Sequence, residues 1–140
     1  SDDSGIEIDA LDKQPGIYSA RWAGPNRDFD FAMREVTRLL DEKKIPIAER
    51  TARCVCALCL FYPNGEYFFF VGKVEGRVVW PPRGKYGFGY DAIFEPLNMN
   101  KTFGEITSGE KHSWTPKKIG LSHRAKAFAK FVSYLSQEKK

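Results

Sequence analysis

The order of apolar and polar positions divides the chain into a small set of elements. Residues 6–11, Ile-Glu-Ile-Asp-Ala-Leu, alternate apolar groups with acids, which predicts a short half-buried strand ended by Gln14-Pro15-Gly16. Gly24-Pro25-Asn26 marks a second turn. Over residues 28–43 the apolar positions Phe29, Ala32, Met33, Val36, Leu39 and Leu40 recur at helical spacing on one face. Asn26 or Asp28 can cap that helix, Lys43-Lys44 suits the negative end of its dipole, and Pro46 stops it. Residues 52–62 are nearly all apolar, the pattern of a strand buried on both faces. After the turn signal Pro63-Asn64-Gly65, strand-type sequence resumes and predicts a hairpin whose second arm is long and bent at Gly72 or Gly76. A glycine-rich and aromatic loop follows over residues 81–91, then a short strand over 92–97 and an irregular, lysine-rich stretch over 98–120. Ser122 caps a final helix with Ala125, Phe128, Ala129, Val132 and Leu135 on its buried face. Strands mixed with two helices, without a repeat or a linker, predict one mixed α/β or α+β domain with a hairpin over residues 1–140.

Composition narrows the class without naming a function. The chain has 140 residues, 42% hydrophobic and 29% charged, which suits a folded domain with a core of its own and excludes a disordered tail. No apolar run approaches the roughly 20 residues needed to cross a bilayer. The opening residues show no signal-peptide pattern. The three cysteines, Cys54, Cys56 and Cys59, are an odd count within the apolar strand, where Cys54 and Cys56 share one face and Cys59 takes the other. They read as buried strand residues rather than as a metal site, and a reducing, cytoplasmic compartment is expected. The net charge of +4 is spread along the chain, so a polybasic arm is not indicated.

Polar residues that folding does not require fall in four places. Ser1-Asp2-Asp3-Ser4-Gly5 pairs carboxylates with a hydroxyl, which suits a hard divalent cation or a water-activating base, and equally a cap or a solvated terminus. Gly87-Phe88-Gly89-Tyr90-Asp91 combines close backbone approach with flat faces for stacking and a carboxylate that can accept from a ring N–H, unless its aromatics simply pack inward. Ser122-His123-Arg124 sets two basic residues at a helix start, where cations are locally unfavourable unless an electron-rich group docks there or they point to solvent. The lysines Lys101, Lys111, Lys117 and Lys118 read as surface charges, save one poised beside the His-Arg pair. Together these describe a site for a phosphorylated aromatic ligand, a nucleotide. Neither a P-loop nor a dinucleotide-binding glycine motif is present.

The same residues carry a family resemblance. Ser1 to Gly5, Pro15-Gly16-Ile17-Tyr18-Ser19-Ala20-Arg21, Gly87 to Asp91 and Ser122 to Arg124 resemble, in that order, the Ham1-like inosine triphosphate pyrophosphatases. Val74-Glu75-Gly76-Arg77 and Lys101-Thr102-Phe103-Gly104-Glu105 are similar too, and the resemblance covers essentially the whole chain. It implies the Ham1-like fold, with a long bent hairpin sheet and flanking helices, truncated at its N-terminus. It also implies hydrolysis of non-canonical purine nucleoside triphosphates (ITP, dITP, XTP) to the monophosphate and pyrophosphate with Mg²⁺. Asp3 resembles the catalytic and metal-binding carboxylate, with Asp2 beside it as a metal ligand. Ser4, Phe88, Gly89, Tyr90, Asp91, His123 and Arg124 resemble substrate contacts. A substrate lysine precedes Ser-His-Arg in the family. Lys111 matches it by local sequence and leaves residues 114–120 as an insertion, whereas Lys118 matches by spacing. A homodimer is implied, and neither a membrane nor a stable nucleic-acid complex is.

The family's upstream strand and helix, with a phosphate-binding Thr/Ser-x-Asn-x-x-Lys motif and a metal-binding glutamate, are not in these residues. The 140-residue chain alone is therefore expected to be weakly active or inactive. A basic, aromatic-rich nucleic-acid-binding module is the competing reading, but it gives Asp2 and Asp3 no role. A Nudix hydrolase would need a glutamate-rich helix that is lacking.

Overall fold

The computed structural model describes residues 2–112, 114–115 and 118–138, with side chains over 2–111 and 120–137. Its frame is a five-stranded antiparallel sheet in the order β2-β1-β3-β4-β5. The strands are β1 (Asp2–Ile8), β2 (Gln14–Pro15), β3 (Thr51–Phe61), β4 (Tyr67–Val78) and β5 (Phe94–Pro96). The hairpin of β3 and β4 pairs continuously from Thr51 opposite Arg77 to Phe61 opposite Tyr67. Its turn holds Gly65 at φ +94°, a conformation glycine adopts without a steric penalty. On the other side of β3, β1 pairs from Asp2 opposite Leu58 to Ile8 opposite Ala52. Thus β1 begins earlier than its alternation of apolar residues predicts, because β3 supplies partners for Asp2 to Gly5. It also ends earlier, in a 3-10 turn at Asp9–Leu11.

The expectation that β3 is buried on both faces is corrected. Ala52, Cys54 and Cys56 are buried, while Arg53 and Val55 between them are only half-buried. Arg53, on that second face, binds Glu7, Asp9 and Glu75 at 2.9–3.4 Å, a charged cluster that belongs at the solvent side. Farther along the same face Phe61, Tyr67 and Phe69 stand exposed, so the apolar run reflects an open aromatic end rather than two-sided burial.

Two helices cover the other face. Helix α1 (Phe29–Glu42) buries Ala32, Met33, Val36 and Leu40 against Ile6, Ile8 and Val74. Its N-cap is Asp28, whose carboxylate accepts from the Phe31 N–H at 3.0 Å. Asp28→Ala is expected to cost about 1 kcal/mol and lower the melting midpoint by about 4 °C, measurable by circular dichroism.

Between β5 and the last helix, the stretch expected to be irregular holds a 3-10 turn at Phe103–Glu105, the short helix α2 (Ser108–His112) and a small hairpin of β6 (Trp114–Thr115) and β7 (Lys118–Ile119). Helix α3 (His123–Glu138) is capped by Ser122, whose hydroxyl oxygen accepts from the Ala125 N–H at 3.0 Å. A Cβ at Gly72 would run into the His123 carbonyl oxygen and the Ala127 amide nitrogen, so this glycine lets α3 lie directly on β4. Neither Gly72 nor Gly76 interrupts β4. Gly76 instead admits the backbone of Glu95 and the ring of Phe94 from β5. Ala125 and Ala127 therefore form the buried contact of α3, while Phe128, expected inside, is 41% exposed. Phe131 and Tyr134 pack on Phe70 and Phe68. Among the described residues no helix is long and apolar enough to cross a membrane.

Candidate active site

One cavity of about 180 Å³ opens where the start of β1, the loop 87–91, Phe103, Lys111 and the start of α3 converge. Its charged floor is the pair Lys111–Asp91. Lys111 is 1% exposed, and its ammonium lies 3.2 Å from Asp91 Oδ2. The same oxygen accepts from the Phe88 N–H at 3.1 Å. Gly87, at φ +79°, has no side chain because a Cβ there would meet the Asp91 carboxylate and the Lys111 ammonium. Lys111 is also fixed through its backbone, donating to Thr107 at 3.0 Å and accepting from the Ser122 N–H at 2.8 Å, which joins α2 to the cap of α3. An ammonium carries three donors and Asp91 engages one side of it, so Lys111 can still donate into the cavity.

The two aromatics of the loop divide their work. Tyr90 is buried, its hydroxyl donates to the Ser19 carbonyl at 2.7 Å, and its ring meets Phe29 edge-on at 5.7 Å. Burial pushes its phenol well above the usual range. Ser19 in turn accepts from the Ile6 N–H at 3.0 Å and donates to the Gly16 carbonyl at 2.7 Å. Tyr90 thus bolts the loop to β1 through the turn that contains Gly16 to Ser19. Phe88 is 65% exposed at the mouth, placed to cover a flat ligand.

On the opposite wall the first turn of α3 supplies His123 and Arg124. The His123 ring stacks on Phe103 with centroids 6.2 Å apart. Arg124 Nη2 lies 3.0 Å from Asp2 Oδ2, and Asp2 Oδ1 accepts from the Ser4 hydroxyl at 3.3 Å and the Cys56 thiol at 3.4 Å. Burial raises the Cys56 thiol. Burial, with the Asp91 carboxylate adding to it, raises the Cys54 thiol well above its ordinary value. Both cysteines are therefore neutral at physiological pH and are not nucleophiles.

Asp2 and Asp3 leave β1 on opposite faces. The Asp3 side chain is exposed, lies outside the cavity wall and takes no hydrogen bond or ion pair among the described residues. Among those residues no three His, Cys, Asp or Glu side chains cluster as a metal cage. A single open carboxylate nevertheless fits Mg²⁺, which is commonly held by one or two carboxylates together with substrate phosphates and its own waters.

The family model described as Ham1 family matches residues 1–134. The chain belongs to the Ham1 family. Proteins named dITP/XTP pyrophosphatase from Brucella melitensis and Rhodopseudomonas palustris are each 53% identical to it, over 94% of this chain and 62% and 63% of their own. The Staphylococcus aureus Ham1 protein superposes with a TM-score of 0.84 at 33% identity, and the Coxiella burnetii HAM1 protein with 0.85 at 32%. Each of these matches covers 98% of this chain and 66% of the other. The chain therefore spans less than two thirds of the length of these Ham1 relatives. The mixed α/β architecture with its long antiparallel hairpin is the Ham1 fold.

Within this Ham1 fold Ser4, Phe88, Gly89, Tyr90, Asp91, Lys111, His123 and Arg124 line this cavity together. Asp2 reaches its rim through Arg124, whereas Asp3 stands apart. The Lys118 side chain and Ser1 lie outside the described residues. The wall also uses Ser19, Arg27, Phe29, Cys54 and Phe103. Ser19 and Phe103 fall within stretches that resemble the Ham1 family, but a lone serine and a lone phenylalanine have no partner nearby in sequence to single them out. Nothing in the local sequence marks Arg27 or Phe29 as wall residues.

Proposed function

We propose that the protein takes part in hydrolysis of non-canonical purine nucleoside triphosphates, ITP, dITP and XTP, to the monophosphate and pyrophosphate. The observation that carries this reading is the buried Lys111–Asp91 pair at the floor of an aromatic cavity beside His123 and Arg124. Hypoxanthine and xanthine bear a carbonyl oxygen at C6, where adenine bears an amine. The donors of Lys111 and Arg124 satisfy that oxygen, whereas adenine would set donor against donor in a desolvated site. Asp91 accepts from a ring N–H, and Phe88 covers the ring. Asp3 would hold Mg²⁺ and orient the attacking water. A cation held there would neutralise charge on the phosphates that flank the scissile anhydride linkage between the α- and β-phosphates. A cytoplasmic homodimer completes the proposal.

The test compares ITP with ATP, in the presence of Mg²⁺, for the chain and its Asp3→Asn variant. Calorimetry is expected to show ITP binding at least about tenfold tighter than ATP. Pyrophosphate release is expected to be slow and to disappear in Asp3→Asn, with affinity for the base retained. Equal affinity for both nucleotides would sink the substrate assignment. Tight, salt-dependent binding of single-stranded nucleic acid without nucleotide preference would replace it with the binding-module reading.

A further inference from the structure

We infer that Asp2 is a positioning residue that holds Arg124 in place for ligand recognition, an inference that rests on the proposed nucleotide site. The two adjacent carboxylates have separate surroundings. Strand alternation turns Asp2 toward the face of Ser4 and Ile6, where α3 lies, and turns Asp3 away. Asp2 is gripped on both oxygens. Oδ1 accepts from the Ser4 hydroxyl and the Cys56 thiol, and Oδ2 meets Arg124 Nη2 at 3.0 Å.

Arg124 needs such a partner. It occupies the first turn of α3, where the helix dipole disfavours a cation, and Asp2 is its one ion-pair partner among the described residues. A guanidinium has five N–H donors in a rigid fork, so engaging Nη2 from the rim sets the plane of the whole group and leaves other donors for a ligand. A long side chain held in advance loses less freedom when the ligand arrives. Asp2 therefore acts on base selection through Arg124 and is distinct from the open carboxylate of Asp3.

The experiment uses the 140-residue chain with Asp2→Asn, Arg124→Ala and the double variant. Nitrogen-15 relaxation of the Arg124 Nε–H group, without ligand, is expected to show an ordered side chain in the parent and a mobile one in Asp2→Asn. Calorimetry with ITP is expected to show about threefold weaker binding for Asp2→Asn. In the Arg124→Ala background the same change is expected to have no further effect, since its route to the ligand is gone. An unchanged Arg124 signal in Asp2→Asn overturns the inference. So does an equal loss in both backgrounds, or a loss confined to Mg²⁺ dependence, which would make Asp2 a cation ligand. If the parent chain shows no preference for ITP, the proposed function fails instead, and the relaxation arm alone decides whether Asp2 holds Arg124.

Discussion

Asp91→Ala is expected to lower the melting midpoint by about 10–15 °C and to abolish the proposed nucleotide binding. Lys111 is almost wholly excluded from solvent, and Asp91 is the carboxylate that neutralises it. Removing one member of a buried pair leaves an uncompensated charge, at a cost of about 3–5 kcal/mol, and each kcal/mol corresponds to about 3–4 °C in a domain of this size. The loop also loses the carboxylate that accepts from the Phe88 N–H, so the covering ring is released. Combining Lys111→Met with Asp91→Asn is expected to recover much of the stability, because no charge is then orphaned, but none of the binding. Thermal denaturation followed by circular dichroism checks both variants. A shift below about 2 °C for Asp91→Ala would mean that water reaches the Lys111 ammonium.

Gly72→Ala is expected to damage the site through helix α3, which rests on this glycine. Its Cβ would meet backbone atoms of His123 and Ala127, which cannot swing away as a side chain can. Helix α3 must move outward as a body, at a cost of about 2–3 kcal/mol. The first turn of α3 travels with it and carries His123 and Arg124 out of register with Lys111 and Asp91. A displacement near 1 Å is enough to lose about tenfold or more in affinity for an inosine nucleotide. Gly109→Ala serves as the control, since a Cβ there meets nothing within 4 Å. It is expected to stay within about 0.5 kcal/mol of the parent. Calorimetry and chemical denaturation of the two variants separate helix displacement from a general intolerance of alanine.

The parts of the fold legible in the sequence are those whose own periodicity is strong. The hairpin of β3 and β4 and the body of α1 declare themselves through long apolar patterns and a turn or cap signal. Asp2 to Gly5 bears no such pattern and becomes strand only because β3 offers it a partner. The short helix α2 and the turns around it depend on caps and tertiary contacts too brief for a window of sequence to register. Helix α3 was legible as a helix, with Ala125 on its buried face, but the inward seat of Ala127 was not. A stripe drawn for maximal hydrophobicity points Phe128 inward, whereas a helix seated on Gly72 needs Ala127 there. In the site, the charged and aromatic residues stood out by chemistry, and the family resemblance gathered them. What sequence could not show is their division of labour. Tyr90 resembles Phe88 on paper, yet one is a buried bolt and the other an exposed cover. Asp2 and Asp3 resemble each other still more, and one step along a strand separates their roles.

The cavity wall draws on Ser4, Ser19, Cys54, Phe88, Lys111 and Arg124, positions scattered across most of the chain. No hairpin or helix pair can assemble that wall alone, so it comes into being only when every distant segment has docked. A molecule seated there would clasp the beginning of the chain to its last helix. It would draw the folding equilibrium toward completion in proportion to its concentration, as any ligand of the native state alone must. Occupancy of the pocket and integrity of the whole domain are in this sense a single quantity, and a ligand held there would guard the protein against unfolding.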